Sequence, residues 1–435
     1  MSSSMVTKLP LELLLEIGQG FSFEDKRRLS CVSRDFRQYY APQLYSKIRF
    51  SNRLADQDAI ASVVTKYGYC ARALVFVVDL SLTGWEFGEW KSGDQRLLSE
   101  DDDTEAEVAM DGLPHLARDI LRGKILPGIP SLTIRVTADP NSEVGWLHWN
   151  AWRRLRNENL ALGESRALWR RCLTAMWQAL AENPRPVSHL SLPNLVPVMS
   201  SAWLMPAWSA FIGQLESLSI GLWDSKWIFD ASPPWHRGKF DRDMDTHFWR
   251  HATALRRLEL VPSPCNVYAF GTYSMEGSPA SLHELRVVNA VVSDELAQFI
   301  GECVKSGVKR VELANCVAMD SYTRCGKSPG FGSPWHSFFG SIASRIQGTE
   351  GPWDVFGFYS NKLPPVAVPE QRGVTIALEE FTMTHENGIL FPYAYDDLKS
   401  GVGDYRAFLE GDKDAILYQG LMDLIRQNRT RATAI

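Results

Sequence analysis

The chain reads as an α/β protein, with a short helical module at the N-terminus and then an irregular solenoid of parallel strands and flanking helices. Three observations predict this. Residues 9–50 carry leucine on two faces of short helical stretches. The pattern apolar-x-x-apolar-x-apolar recurs from Ile129 to Met383. Three consecutive copies of it stand about 26 to 27 residues apart, a period that belongs to stacked strand–helix units.

The bulk properties agree. At 435 residues the chain exceeds what one compact core usually covers, so two or three domains or one elongated repeat body is expected. Hydrophobic residues at 45% and charged residues at 22% are ordinary globular values and argue against wholesale disorder. No apolar run reaches the roughly 18 residues that span a bilayer, and no basic-then-apolar leader opens the chain, so a cytoplasmic or nuclear location without membrane attachment is expected. The seven cysteines contain no C-x-x-C pair, which fits reduced thiols rather than a disulfide framework or a zinc site. A net charge of -5 and a pI near 6.0 leave no footprint for a nucleic-acid backbone, so proteins are the expected partners.

Taken in order, residues 1–7 form a polar leader expected to fray. Pro10 suits a first helical turn, with Leu9, Leu13 and Ile17 at i, i+4 and i+8 on one face and Leu11, Leu14 and Leu15 on the other. Gly18 and Gly20 end that helix, and Ser22 with Asp25 makes a capping box for a second. Leu29, Val32 and Phe36 fall at i, i+3 and i+7 of the second helix, Pro42 closes the region, and Leu44 and Tyr45 add an apolar turn. So few residues in short helices cannot bury a core of their own, and another surface must cover the excess leucine.

The motif Leu9-Pro10-x-Glu12-Leu13-Leu14-x-x-Ile17, a spacer, and Leu29-Ser30-x-Val32-Ser33-Arg34-x-Phe36-Arg37 resembles the F-box, the segment by which F-box proteins bind the Skp-family adaptor of cullin-RING ubiquitin ligases. Gly18 stands where that family usually has a bulky aromatic, and Lys26 where leucine is common.

Beyond it, residues 56–67 suggest a helix and Leu74 to Val78 a strand. The repeated pattern then appears at Ile129/Leu132/Ile134, Val187/Leu190/Leu192, Leu215/Leu218/Ile220, Leu255/Leu258/Leu260, Leu282/Leu285/Val287, Val308/Val311/Leu313, Trp353/Phe356/Phe358 and Leu378/Phe381/Met383. It is the core of a leucine-rich repeat, and Cys316 and Asn361 complete the motif at the ninth position of their copies. Ser293-Asp294-Glu295 opens a helix carrying Leu296, Phe299, Ile300 and Cys303 between two copies. In the copies at Leu255, Leu282 and Val308 the third position reads Arg257, Glu284, Arg310 and the fifth Glu259, Arg286, Glu312. Opposite charges would meet across each strand pair and hold the register. An acidic run at Glu100 to Glu107 marks an inserted loop near 83–111, residues 163–182 a tryptophan-bearing helix, and residues 412–427 an amphipathic helix suited to capping the array. The expected domains are thus 9–50, 51–411, and a capping helix with tail over 412–435.

Signals for an enzyme are thin. His247 and His251 stand one helical turn apart after Asp241, Asp243 and Asp245, but Phe248 occupies the place of a metalloprotease glutamate, and a capped helix with surface histidines accounts for them. Gly326-Lys327-Ser328 lacks the earlier glycine of a phosphate loop, where Ser321 stands, and runs into Pro329. No nucleophile elbow or ordered triad occurs, so no cofactor, metal or catalytic residue is assigned, and the 15 tryptophans are read as packing. A metal-dependent hydrolase remains a distant alternative.

The resemblance, to the large class of F-box proteins found in filamentous fungi, implies a non-catalytic substrate receptor. Leu9, Pro10, Leu13, Leu14, Ile17, Leu29, Val32 and Phe36 are the adaptor-docking candidates, some of which must instead form the module's own core. Cullin and RING subunits would join through the adaptor, and a cullin-independent scaffold is the alternative. The strand face bearing His189, Arg257, Arg286, Arg310 and Tyr359 is where an unidentified client would sit.

Overall fold

The computed structural model describes residues 11–80, 112–137, 160–166, 168–196, 198–222, 244–261, 281–288, 290, 292–314, 316, 318–319, 334–347, 355–359, 393–394 and 413–433. Its first element is α1 (Leu11–Gln19), followed by α2 (Phe23–Val32) and α3 (Arg34–Leu44). Ser22 and Asp25 form the expected reciprocal cap of α2, with the Asp25 amide donating to the serine hydroxyl at 3.2 Å. The single second helix expected over Leu29 to Phe36 is in fact two. Ser33 is extended (φ -146°, ψ 161°) and its hydroxyl accepts from the Phe36 amide at 3.1 Å, ending α2 and capping α3 together. Pro42 lies inside α3 rather than closing it.

The chain then enters one nine-stranded, all-parallel sheet through β1 (Lys47–Ser51) and β2 (Ala73–Asp79), with α4 (Gln57–Tyr67) between them. The closing residues of the leucine-rich N-terminal stretch are therefore a strand, one the helical periodicity concealed. Next come α5 (His115–Leu121), β3 (Ser131–Thr137), α6 (Leu160–Arg166), α7 (Leu168–Ala181), β4 (His189–Leu195), α8 (Pro206–Ile212) and β5 (Ser217–Leu222). Finally β6 (Arg257–Leu260), β7 (Glu284–Val288), α9 (Asp294–Lys305), β8 (Arg310–Ala314), β9 (Ala318–Met319), α10 (Trp335–Ile346), β10 (Val355–Tyr359), β11 (Tyr393–Ala394) and α11 (Lys413–Thr433) complete the described elements. The sheet order follows the chain from β1 to β8 and ends on β10, while β9 and β11 form a separate parallel pair.

The register is the one the repeat spacing predicts. Ile48, Leu74, Leu132, Leu190, Leu218, Leu258, Leu285, Val311 and Phe356, all at the fourth position of their units, are successive Cα partners across the sheet. Because strand side chains alternate, a single residue of slip would turn each of these outward, so the apolar pattern itself enforces the pairing. Fourth and sixth positions join helix residues such as Met176, Phe211, Ile300 and Ile342 in one continuous core. The copy at Leu378 and the acidic run at Glu100 to Glu107 fall outside the described residues, as does Trp353.

Buried tryptophans tie successive helices together. Trp208 of α8 lies 5.4 Å from Trp177 of α7, 6.1 Å from Trp203 and 5.2 Å from Phe248, and its indole donates to the His247 carbonyl at 3.0 Å. Phe248 and Trp249 are buried and the helix breaks there into a 3-10 turn (Trp249–His251), while Asp245 pairs with Arg250 at 2.9 Å. At the far end, Asp414 of α11 accepts from the His336 amide at 2.8 Å, capping α10 where Pro334 offers no side-chain acceptor, and Leu421 and Ile425 are buried with it.

Ninth-position side chains stitch neighbouring units. The Cys316 thiol donates to the Val287 carbonyl at 3.6 Å, and the Thr137 hydroxyl to the Val78 carbonyl at 3.5 Å. Burial pushes the Cys316 and Cys172 thiols up to about 12. Both should resist alkylation at pH 8 in the folded protein while exposed Cys31 reacts at once, which mass spectrometry of the labelled chain would report. The two thiols titrate more readily in the unfolded chain, so their contribution to stability is complete below pH ~8.5 and declines as pH rises towards 12.

Candidate functional site

The N-terminal module has a small core separate from that of the sheet. Phe36, Tyr40 and Leu44 of α3 are buried together, with Phe21, Leu29, Tyr39 and Tyr45 packed against them. The module is joined to the body by Tyr45, whose ring stacks on Tyr67 of α4 at 3.9 Å. Against this core, α1 and α2 leave apolar side chains in solvent: Leu13 is 45% exposed, Ile17 52%, Phe23 63% and Val32 74%. Ordinary helices bury their apolar stripe, so four exposed apolar side chains on two short helices depart from that rule.

The eight docking candidates are thereby divided. Leu13, Ile17 and Val32 are accessible, and Leu29 is half-buried against the small core. Phe36 is 7% exposed and belongs to that core, because the break at Ser33 rotates α3 away from the stripe of α2. Leu9 and Pro10 lie outside the described residues, as does the side chain of Leu14. Phe23, one residue past the Ser22 cap, was not distinguishable by sequence because it falls off the Leu29 periodicity.

Gly18 has a specific reason to be small. A Cβ there would meet the Tyr40 hydroxyl at 2.7 Å and its ring at 2.8 Å. Tyr40 is 1% exposed and occupies the space that a bulky side chain at position 18 would claim, so the aromatic is supplied from α3 instead of α1. Gly18→Leu should therefore displace Tyr40 and destabilise the module by about 1 to 3 kcal/mol. Thermal unfolding should show that loss restored in part by combining it with Tyr40→Ala.

The second surface is the sheet face opposite the helices. His189, Arg257 and Arg310 share one row of Cα partners, through Ser217 and Glu284, and Arg286 stands two residues further along β7 on the same face. Four of the five client candidates thus converge. Tyr359 is placed by register opposite Ala314, at the seventh position of β10. The charge ladder forms in three of its four expected rungs: Arg257–Glu284 at 2.7 Å, Arg286–Glu259 at 2.6 Å and Arg286–Glu312 at 3.5 Å. Arg310 instead turns to Glu312 on its own strand. With Arg286 half-exposed, Arg286→Ala should cost about 1 kcal/mol or less, and less still in high salt. Denaturant titrations at two ionic strengths would measure it. Val75 and Val77 of β2 are buried on this face, whereas the third positions of β1, β4, β6 and β8 are exposed.

A crevice of about 380 Å³ between α5 and α7 is lined by Arg118, Arg122, Glu164, Arg171, Gln178 and Ser201, among others. Both carboxylate oxygens of Glu164 are committed, one accepting from the Ser201 amide at 2.7 Å and from Thr174, the other from the Ser201 hydroxyl. Its lining contains no histidine or cysteine, and the hydroxyls of Thr174 and Ser201 are both hydrogen-bonded to Glu164. Among the described residues no three histidine, cysteine or carboxylate side chains cluster as metal ligands, and no helix is long and apolar enough to cross a membrane. No known family model matches the chain, and no curated protein matches it.

Proposed function

We propose that the chain is a non-catalytic receptor whose N-terminal helices dock on a Skp-family adaptor, while the parallel sheet holds a client protein for ubiquitin transfer by cullin and RING subunits. One observation carries the proposal: α1 and α2 expose Leu13, Ile17, Phe23 and Val32 beside a described core of Phe36, Tyr40 and Leu44 that does not include them. Their exposed fractions amount to about two whole side chains, so covering them is worth roughly 3 to 6 kcal/mol before the costs of association. The F-box resemblance of residues 9–37 supplies the identity of the covering surface.

Mixing the full chain with purified Skp-family adaptor should give one co-eluting complex on size-exclusion chromatography. Separate elution at micromolar concentrations would overturn the proposal. Adding cullin to the complex should extend it by one subunit, and exclusion of cullin would make the chain a scaffold rather than a ligase receptor.

A further inference from the structure

We infer that the open sheet face is built to take an extended, aspartate- and glutamate-rich segment of a client protein, an inference that rests on the receptor proposal for the word client. Across β1 to β8, the second, third, fifth and seventh positions hold nine lysines and arginines against four glutamates. This surplus of five positive charges sits on a chain of net charge -5. Three of the glutamates, Glu259, Glu284 and Glu312, are already engaged by Arg257, Arg286 and Arg310.

What remains is a set of exposed cations: Lys47, Arg49, Arg72, Arg135, Arg256 and Lys309. No carboxylate among the described residues pairs with any of them. A protein acidic overall that carries exposed cations without a carboxylate partner among the described residues, on the strands and on the residues leading into them, favours an anionic partner there, both in steering and in affinity.

Spacing selects the kind of anion. Seven inter-strand steps of about 4.8 Å make the face about 34 Å wide, and the six cations are distributed along it from β1 to β8 at separations of one to three strand steps. Alternate side chains of an extended peptide recur every ~6.7 Å, whereas duplex DNA carries one charge per ~1.7 Å. Lys47 and Arg49 lie on β1, Arg135 on β3, and Arg72, Arg256 and Lys309 immediately before β2, β6 and β8; this spread, rather than convergence on one point, suits separate carboxylates better than a single phosphate. None of the second, third, fifth or seventh positions in β1 to β8 is Phe, Tyr or Trp, so the large stacking rings that single-stranded nucleic-acid platforms use are absent from these strands.

The test uses the full chain and a fluorescent poly-glutamate peptide of about 10 residues, long enough to cross the sheet. Poly-lysine of equal length and a single-stranded oligonucleotide of equal charge serve as comparisons. Anisotropy titrations should show peptide binding that weakens about ten-fold or more in Lys47→Glu/Arg49→Glu and again in Arg256→Glu/Lys309→Glu. All four side chains are exposed, so both variants should melt at the wild-type temperature and bind adaptor as the native chain does. Absence of peptide binding, indifference to both charge reversals, or tighter binding of the oligonucleotide would overturn the inference. Adaptor titration of the same samples separates the two ideas. Adaptor binding without peptide binding removes only this inference, and peptide binding without adaptor binding removes the client assignment.

Discussion

Trp208→Ala should unfold the body of the protein at a denaturant concentration well below that of the native chain, with a loss of about 3 to 5 kcal/mol. The indole is fully buried and touches aromatic rings from α7, from its own helix and from the segment before β6, with Phe211 5.4 Å away. Removing it opens a cavity between three successive helices that cannot close without moving strands held in register. It also removes the indole N–H that donates to the His247 carbonyl. Trp208→Phe keeps most of the volume and loses only the hydrogen bond and the outer ring, so it should fall between the two. Equal stability of Trp208→Ala and the native chain would mean that the aromatic knot does not hold the units together.

Leu13→Asp combined with Ile17→Asp should weaken adaptor binding by about a hundred-fold or more while leaving the melting temperature unchanged. Each residue is roughly half-exposed in the free chain, so aspartate there costs the isolated protein little. In the complex the same positions would bury two unpaired carboxylates in place of about one whole apolar side chain. Phe36→Ala makes the contrast. Phe36 stacks with Tyr40 at 6.3 Å inside the module, and its loss should lower stability by about 3 to 5 kcal/mol and impair docking only through unfolding. A fall in adaptor affinity with intact folding for the first variant, and with lost folding for the second, separates surface from core.

The extent to which the fold can be read from sequence differs between its two parts for a physical reason. Fourth and sixth positions of the repeat must face the helices whatever else varies, so Leu218, Leu258, Leu285 and Val311 announce both strand and register. Ile48 and Phe50 obey the same rule, yet they follow directly on helical leucines, and the strand they form was hidden by its neighbours. The short helix at Pro206–Ile212 has too few turns to show a period, although its Trp208 is the hub of the aromatic cluster. In the N-terminal module, composition revealed an excess of apolar side chains but not which of them are exposed. That division depends on the Ser33 break and on Tyr40 filling the space beside Gly18, both tertiary facts without a periodic signature. Likewise the ladder rung at Arg310 was expected across strands and formed within one, because a flexible guanidinium can reach the nearer carboxylate.

The sheet's basic character was also dispersed in sequence. Lys47, Arg135 and Arg310 are far apart along the chain and belong to an acidic protein, and only the parallel register sets them on one side. Charge totals therefore described the whole molecule correctly and its strand face with the wrong sign.

Hydrogen exchange of the full chain with and without purified Skp-family adaptor tests the account most directly. Amides of α1 and α2 should gain protection on complex formation, those of the sheet from β3 onward should remain unchanged, and the Leu13→Asp/Ile17→Asp chain should show no difference at all. Protection confined to the sheet, or none anywhere at saturating adaptor, would contradict the assignment of the N-terminal helices as the docking surface.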